Sequence, residues 1–400
     1  MKILFFSYLG FNPKNGGVER VSNLLAKEFI RKGYEVFFIT KHPGEADSSY
    51  RPIVEEVFLP DSENYCTPGS SDFFTEYVKK RNIDIIICQH PLDHVDYISP
   101  YLAKQRTGAK LLYVFHTNPY MYGLEIADTT IPIFSFERGL AQGYRRIMRA
   151  VFKKQKQNKR NRRMGEHLLR LSNMGDGLVF LAPQYINSAL RISGIQDSKK
   201  LFAIGNPNTY AEEDIVELPK ENTLLFVGRL SREKKPEKVL LLWKRLQNRF
   251  PSWNLKIVGG GLLKEPLEVL KDKWKLERCS IEGRQDPAPY YAKAKIMLLT
   301  SDFEGYGMVL TEAMQHGVVP VAFNSFEALD DIIAGGTAGL AVKPYNLKEF
   351  ENKLAFLMED DNRLAAMSSA AKISVKRFDI ASIADQWIEL FNRILSQKEF

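Results

Sequence analysis

Two acids lie eight positions apart in the stretch Glu304-Gly-Tyr-Gly-Met-Val-Leu-Thr-Glu312, and they are the side chains best placed to do chemistry. The stretch follows the apolar run 295–300 and precedes Gly317-Val-Val-Pro-Val321. The run reads as a buried strand and the residues after it as a helix, so Glu304 falls at a strand's carboxyl end and Glu312 lies slightly over two turns deeper. That edge is where open α/β sheets bind ligands. Two carboxylates about 10 Å apart are acceptors suited to the hydroxyls of a sugar and of a ribose. Gly305 and Gly307 remove side chains between them, and the N–H groups of Gly307, Met308 and Val309 then open onto a helix N-terminus, where an anion is favoured. Taken alone, the two glutamates read more readily as a helix-start residue and a solvated surface acid.

A second group follows another strand, in Gly228-Arg229-Leu230-Ser231-Arg232-Glu233-Lys234-Lys235. Arg229 and Lys234 leave the sheet edge together, two cations for the two charges of a diphosphate, unless they are ordinary surface basics. Gly283-Arg284 closes a strand where exposed backbone can meet a planar base. In the first half, Gly16-Gly17 marks a place where the backbone comes close to something, and His116 ends a strand just before Thr117-Asn118-Pro119. A lone histidine is often structural, but this one also falls on the ligand-binding edge.

The elements that position these residues alternate as strand and helix. Lys2 to Tyr8 is a strand, and Val18, Val21, Leu24, Leu25 and Phe29 recur at helical spacing up to Gly33. Strands at 34–40, 83–88, 110–116, 177–181 and 201–204 continue one parallel sheet, and a second β-α-β unit starts at Asn222. The 400 residues therefore divide into a first Rossmann-like domain over 1–205, a second over 206–377 and a terminal helix over 378–400. That helix carries Ile380, Ile383, Ala384, Trp387, Ile388, Leu390, Phe391 and Leu395, an apolar stripe that needs a docking surface.

Composition is that of a soluble globular protein, with 44% hydrophobic and 26% charged residues, and no apolar run reaches the roughly 18 residues of a membrane span. The opening segment lacks a small-residue cleavage site and reads as a strand rather than a signal peptide. Cys66, Cys88 and Cys279 lie far apart, without metal-ligand spacing, which suits a reducing compartment. The net charge of +8 is lopsided: residues 1–200 hold 29 Lys and Arg against 20 Asp and Glu, and the rest hold 27 against 28. Ten basic and no acidic residues fall between Arg145 and Arg163, among them Arg146, Arg149, Lys153 and Lys154, interleaved with Ile147, Met148, Val151 and Phe152. Such a basic amphipathic segment suits an anionic membrane surface or phosphate, or else a solvated helix face, and no nucleic-acid-binding motif accompanies it.

Together these segments resemble the retaining glycosyltransferases of family 4, with the GT-B fold. The resemblance covers most of the chain, strongest from Leu224 to Ile333, and is carried by Gly228-Arg229-Leu230 with Glu233-Lys234, Ile257-Val-Gly-Gly-Gly261, Glu304 through Met314 and Gly317-Val-Val-Pro320. It implies two facing Rossmann-like domains, the final helix crossing back to the first. It implies that Glu312 holds the ribose of a nucleotide-sugar, most commonly a uridine one, and Glu304 the transferred hexose or N-acetylhexosamine. Arg229 and Lys234 would neutralise the diphosphate, helped by N–H groups near Gly16-Gly17 and along Gly305, Gly307, Met308 and Val309, while Gly283 and Arg284 line the base. His116 matches the family's active-site histidine. Lys235 departs from the pattern, where glycine commonly follows Glu-Lys, and stiffens the loop. No Asp-x-Asp triplet occurs, so neither metal nor other cofactor is expected.

These readings make the chain a metal-independent hexosyltransferase of cell-surface polysaccharide assembly. Its acceptor would be a glycan or lipid-linked glycan, at the inner face of the cytoplasmic membrane. The rivals are a nucleotide-sugar epimerase or phosphorylase of the same plan, and a non-catalytic nucleotide- or lipid-binding protein. A dehydrogenase would need Gly-x-Gly-x-x-Gly at the first strand-helix junction, which is absent.

Overall fold

The computed structural model describes residues 1–42, 50–60, 67–89, 91, 94–119 and 158–396. Among them the chain divides into two units, one of 1–119, 158–209 and 378–396, the other Tyr210–Arg377. The first contains β1 (Lys2–Leu9), α1 (Gly17–Arg31), β2 (Glu35–His42), β3 (Glu56–Phe58), α2 (Pro68–Arg81), β4 (Ile85–Gln89), α3 (His94–Thr107), β5 (Lys110–Phe115), α4 (158–174), β6 (Gly177–Phe180), α5 (Pro183–Ser193) and β7 (Leu201–Ala203). The second contains β8 (Thr223–Val227), α6 (Pro236–Leu246), β9 (Asn254–Val258), α7 (Lys264–Lys273), β10 (Cys279–Gly283), α8 (Ala288–Lys293), β11 (Ile296–Leu299), α9 (Met308–Gln315), β12 (Val319–Phe323), α10 (Leu329–Ile332), β13 (Leu340–Val342), α11 (Leu347–Met358) and α12 (Asp361–Val375). The last helix, α13 (Ile380–Ser396), returns to the first unit.

Both sheets are parallel among the described residues, in the orders β3-β2-β1-β4-β5-β6-β7 and β10-β9-β8-β11-β12-β13. Each order reverses direction once, between β1 and β4 in the first sheet and between β8 and β11 in the second. The loops that leave the carboxyl ends of strands flanking such a reversal splay apart and leave room for a ligand. In the second unit these two loops are the ones that carry Arg229 to Lys234 and Glu304 to Gly307.

Strands buried on both faces need continuous apolar runs, and β4, β5, β8, β11 and β12 are buried along nearly their whole length. In the first unit Phe5 stacks on Phe29 of α1 (centroids 6.2 Å apart) and meets Phe38 of β2 edge-on at 5.9 Å. A fully buried phenylalanine contributes about 1.5–3 kcal/mol, so this trio alone fixes α1 firmly against the sheet. Gly33, at φ 87, stops α1 in the left-handed conformation that glycine takes without strain.

The stripe on α13 is buried at Ile383, Ala384, Trp387, Leu390, Phe391 and Ile394. Its docking surface is α1: Phe391 meets Phe29 at 5.6 Å and Asp385 pairs with Lys32 at 2.7 Å. The linker leaves the first unit after Thr209, four residues beyond the boundary read from the sequence, because Asn208 N–H is held by the Phe378 carbonyl at 2.7 Å. None of the described helices is long and apolar enough to cross a membrane.

Candidate active site

In the second unit the loop after β8 is fastened to the loop after β9. Gly228 N–H donates to Val258 O (3.0 Å), Leu230 N–H to Gly260 O (2.8 Å) and Leu263 N–H to Leu230 O (3.1 Å). A Cβ on Gly259 would lie 1.8 Å from the Gly228 carbonyl oxygen, and one on Gly261 would lie 2.5 Å from that of Leu230. Two backbones in contact leave no space for side chains, which is why glycine stands at 259 and 261.

The loop after β11 is fastened to the other end of the same segment. Thr300 Oγ1 donates to the carbonyls of Lys234 (3.1 Å) and Lys235 (3.0 Å), and Asp302 N–H donates to Glu233 O (2.7 Å). Between these anchors Lys234 Nζ reaches both Glu304 oxygens, at 2.6 and 2.7 Å, and Ser301 Oγ donates to Glu304 Oε1 at 2.6 Å. Charge-assisted bonds this short in a mostly buried setting hold Glu304 in one orientation. Arg229 contrasts with Lys234: it is exposed, and among the described residues no ion pair engages it.

Gly307, at φ 80, caps α9 in the left-handed region and turns the helix N-terminus toward the Glu304 loop. The first N–H groups of a helix have no partner within it, so Met308 and Val309 present donors at the positive end of the dipole. About one turn into α9, which starts at Met308 and not at Glu304, Glu312 is 2% exposed against 7% for Glu304, the deeper of the two acids. It accepts from Tyr291 OH at 3.0 Å, and its carbonyl is bonded by His316 Nδ1 at 3.0 Å. Burial pushes the His316 ring below its ordinary pKa and keeps it neutral. Gly283 closes β10 at φ 74, with exposed Arg284 after it.

Lys235, the departure from the expected glycine, adopts φ 52 and ψ 46, the conformation glycine would favour. A non-glycine residue there costs about 1–2 kcal/mol. Its Nζ lies 3.2 Å from Asp302, both side chains under a fifth exposed, with Lys238 at 3.9 Å. The ion pair offsets the strain and ties the Lys234 loop to the Glu304 loop. Lys235→Gly should therefore lower stability by up to about 1 kcal/mol, and in an Asp302→Asn background the same change should raise it. Denaturant midpoints of the four proteins check both signs.

In the first unit His116 follows β5, is 7% exposed and meets Gln89 Oε1 at 2.5 Å through Nε2. Gly16 and Gly17 enter α1, but a carboxylate lies over Gly16: a Cβ there would be 2.5 Å from Glu19 Oε2. Glu19 is 8% exposed and makes no ion pair among the described residues. Burial raises its carboxyl above the ordinary value, partly offset by a bond from its own N–H. A diphosphate at Gly16 would face that carboxylate, so the geometry opposes the contact expected there. Because the folded-state pKa is raised, the stability Glu19 contributes is fully present below about pH 4.5 and is lost as pH rises through the folded value. Glu19→Gln should accordingly melt higher than the parent at pH 7, with the gap closing toward pH 4.5 in thermal scans.

Arg145, Arg146, Arg149, Lys153 and Lys154 lie outside the described residues. Sequence reasoning did not single out Tyr291, Gln89, Ser22, Glu19 or Asp302. A signal existed for two of them, since Gln89 ends the apolar run 85–88 and Ser22 interrupts the apolar face of α1.

The family model for Glycosyltransferase Family 4 matches residues 15–163, and that for Glycosyl transferases group 1 matches residues 211–374. An uncharacterized glycosyltransferase of Haemophilus influenzae is 29% identical over 192 residues, 48% of this chain and 54% of the relative. The Campylobacter jejuni GalNAc-alpha-(1->4)-GalNAc-alpha-(1->3)-diNAcBac-PP-undecaprenol alpha-1,4-N-acetyl-D-galactosaminyltransferase is 28% identical over 199 residues, 49% of this chain and 55% of the relative. The chain thus spans about half the length of these curated relatives. Anabaena HepE, solved in complex with UDP and glucose, is 17% identical and superposes over 98% of this chain and all of its own with a TM-score of 0.70, a likeness of fold. With both halves matched by glycosyltransferase models and with two parallel sheets of this fold, the chain belongs to the family 4 type of GT-B glycosyltransferases.

Proposed function

We propose that the protein transfers a hexose or N-acetylhexosamine, with retention of anomeric configuration, from a nucleoside diphosphate sugar to a glycan or lipid-linked glycan of cell-surface polysaccharide. The observation that carries this is the Lys234–Glu304 pair beside the α9 N-terminus, with Glu312 buried behind it and Arg229 exposed at the same sheet edge. An anion sensor, a pair of hydroxyl acceptors and a helix dipole together fit a sugar diphosphate.

Glycosyl transfer breaks the bond from the anomeric carbon to the diphosphate, so negative charge grows on the leaving phosphate and positive charge on the sugar. Arg229, Lys234 and the N–H groups of Met308 and Val309 face the first, in place of a divalent cation. The Glu304 carboxylate, oriented by Lys234 and Ser301, accepts from hydroxyls of the sugar. The acceptor hydroxyl attacks from the side the phosphate leaves, and its proton passes to that phosphate. A uridine nucleotide is the donor we favour; the related fold of HepE was solved with UDP. The basic excess of the first half supports a phosphate-bearing or lipid-linked acceptor, and the Campylobacter relative is named for an undecaprenol-linked one.

Thermal shift and calorimetry with UDP, GDP, dTDP, CMP, NAD and UDP-hexoses, with and without a chelator, test the reading. Stabilisation by one nucleoside diphosphate that survives chelation is expected, about 2.7 kcal/mol at a hundredfold excess over Kd. No response to any of them sinks it. The anomeric coupling of the product sugar decides retention, and sedimentation with vesicles of anionic lipid decides the membrane surface.

A further inference from the structure

Behind His116 lies a chain of buried polar groups whose hydrogen atoms can be placed by elimination. Ser22 Oγ, fully buried on α1, lies 2.8 Å from the Val18 carbonyl, which can only accept, so the single hydroxyl proton goes there. The neighbour of Ser22 at 3.0 Å must then donate to it, which makes that atom the amide nitrogen of Gln89, the last residue of β4. The amide orientation follows: Gln89 Oε1 faces His116, and at 2.5 Å from Nε2 the ring must donate. Gln89 is 4% exposed, so no bulk water competes for either end.

We propose that Ser22 and Gln89 form a relay that fixes His116 in its Nε2-protonated form and in one ring orientation, making Gln89 a positioning residue for glycosyl transfer. In that tautomer the lone pair of the ring lies on Nδ1. The relay is anchored at both ends by rigid elements: Val18 and Ser22 sit one turn apart on α1, and Gln89 is registered against Val114 two residues before His116. The role in transfer rests on the reading of His116 as an active-site residue. The tautomer does not.

Gln89→Met keeps the length of the side chain and removes both polar ends, whereas Gln89→Glu keeps the acceptor toward His116. Nitrogen-15 spectra of histidine-labelled protein, with His116 assigned by its loss in His116→Ala, should show Nε2–H in the parent and in Gln89→Glu. In Gln89→Met the Nδ1–H form should appear. UDP release from whichever of UDP-glucose, UDP-galactose and UDP-N-acetylglucosamine the protein turns over should fall about tenfold to a hundredfold in kcat for Gln89→Met, with donor KM unchanged and much of the loss recovered in Gln89→Glu. In a His116→Ala background Gln89→Met should cost nothing further. A parent ring protonated on Nδ1 overturns the relay. A Gln89→Met defect that persists undiminished without His116 reassigns Gln89 to packing and overturns its positioning role. Full turnover by His116→Ala overturns that role too, and shows the failure to lie in the active-site reading, since the spectra judge the tautomer independently.

Discussion

Arg229→Ala should lower turnover about a hundredfold to a thousandfold, the usual consequence of removing one donor that faces developing charge, while the melting temperature stays within about a degree of the parent. The side chain is exposed and unengaged among the described residues, so nothing in the fold depends on it. Lys234→Ala should produce a loss of turnover of the same order together with a fall in stability. Removing Lys234 leaves the Glu304 carboxylate, 7% exposed, with Ser301 as its remaining side-chain partner among the described residues. Stripping one partner from a buried ion pair costs about 3–5 kcal/mol, and less here because Lys234 is itself 23% exposed. Two cations assigned the same electrostatic task are thus separated by a second readout. Steady-state kinetics and thermal scans of both variants, side by side, check the pair; parental turnover in Arg229→Ala removes it from the diphosphate.

The pairing of Lys234 with Glu304 also marks the limit of what the sequence conveys. The positions of both residues at strand ends were legible, because an apolar run followed by glycines and polar residues can only be a strand leaving a core. Their contact spans seventy positions and depends on β8 and β11 being neighbours, which follows from topology and not from any local pattern. Glu312 as the deeper acid was expected from helical spacing counted from Glu304, whereas α9 starts at Met308 and the greater depth comes from the single turn that follows. Tyr291 as its partner was not, since a tyrosine before a strand has no signature of where its hydroxyl points.

Other residues were legible in type and not in cause. An acid in the first turn of a helix usually complements the dipole from the surface, so nothing in the sequence marks Glu19 as the buried acid it is. The cluster Gly259-Gly260-Gly261 carries the resemblance in the sequence without its cause, which at Gly259 and Gly261 is the passage of one backbone against another. Lys235 reads as a stiffer substitute for glycine, yet it takes the glycine-like conformation and draws on a side-chain contact with Asp302 that glycine lacks.

Glu312→Gln should weaken UDP binding tenfold to a hundredfold, and leave the fold intact. The amide keeps the shape of the carboxylate and an oxygen to accept from Tyr291 OH, so this buried hydrogen bond between α9 and α8 survives the change. What is lost is charge, and hydrogen bonds to a charged group are worth about 1.5–3 kcal/mol against about half that for neutral pairs, a difference that falls on the ribose hydroxyls if they are its ligands. Tyr291→Phe gives the converse. It removes the donor that orients Glu312, while the ring, fully buried between Tyr210 and His316, keeps its packing. It should therefore destabilise by about 1 kcal/mol and weaken UDP by less than Glu312→Gln does. Calorimetric titration of UDP into both variants, with thermal scans alongside, separates the two effects. If Glu312→Gln binds UDP as the parent does, its carboxylate is a structural acceptor for Tyr291 and the ribose is held elsewhere. If Tyr291→Phe weakens UDP the more, orientation of the acid matters beyond its charge.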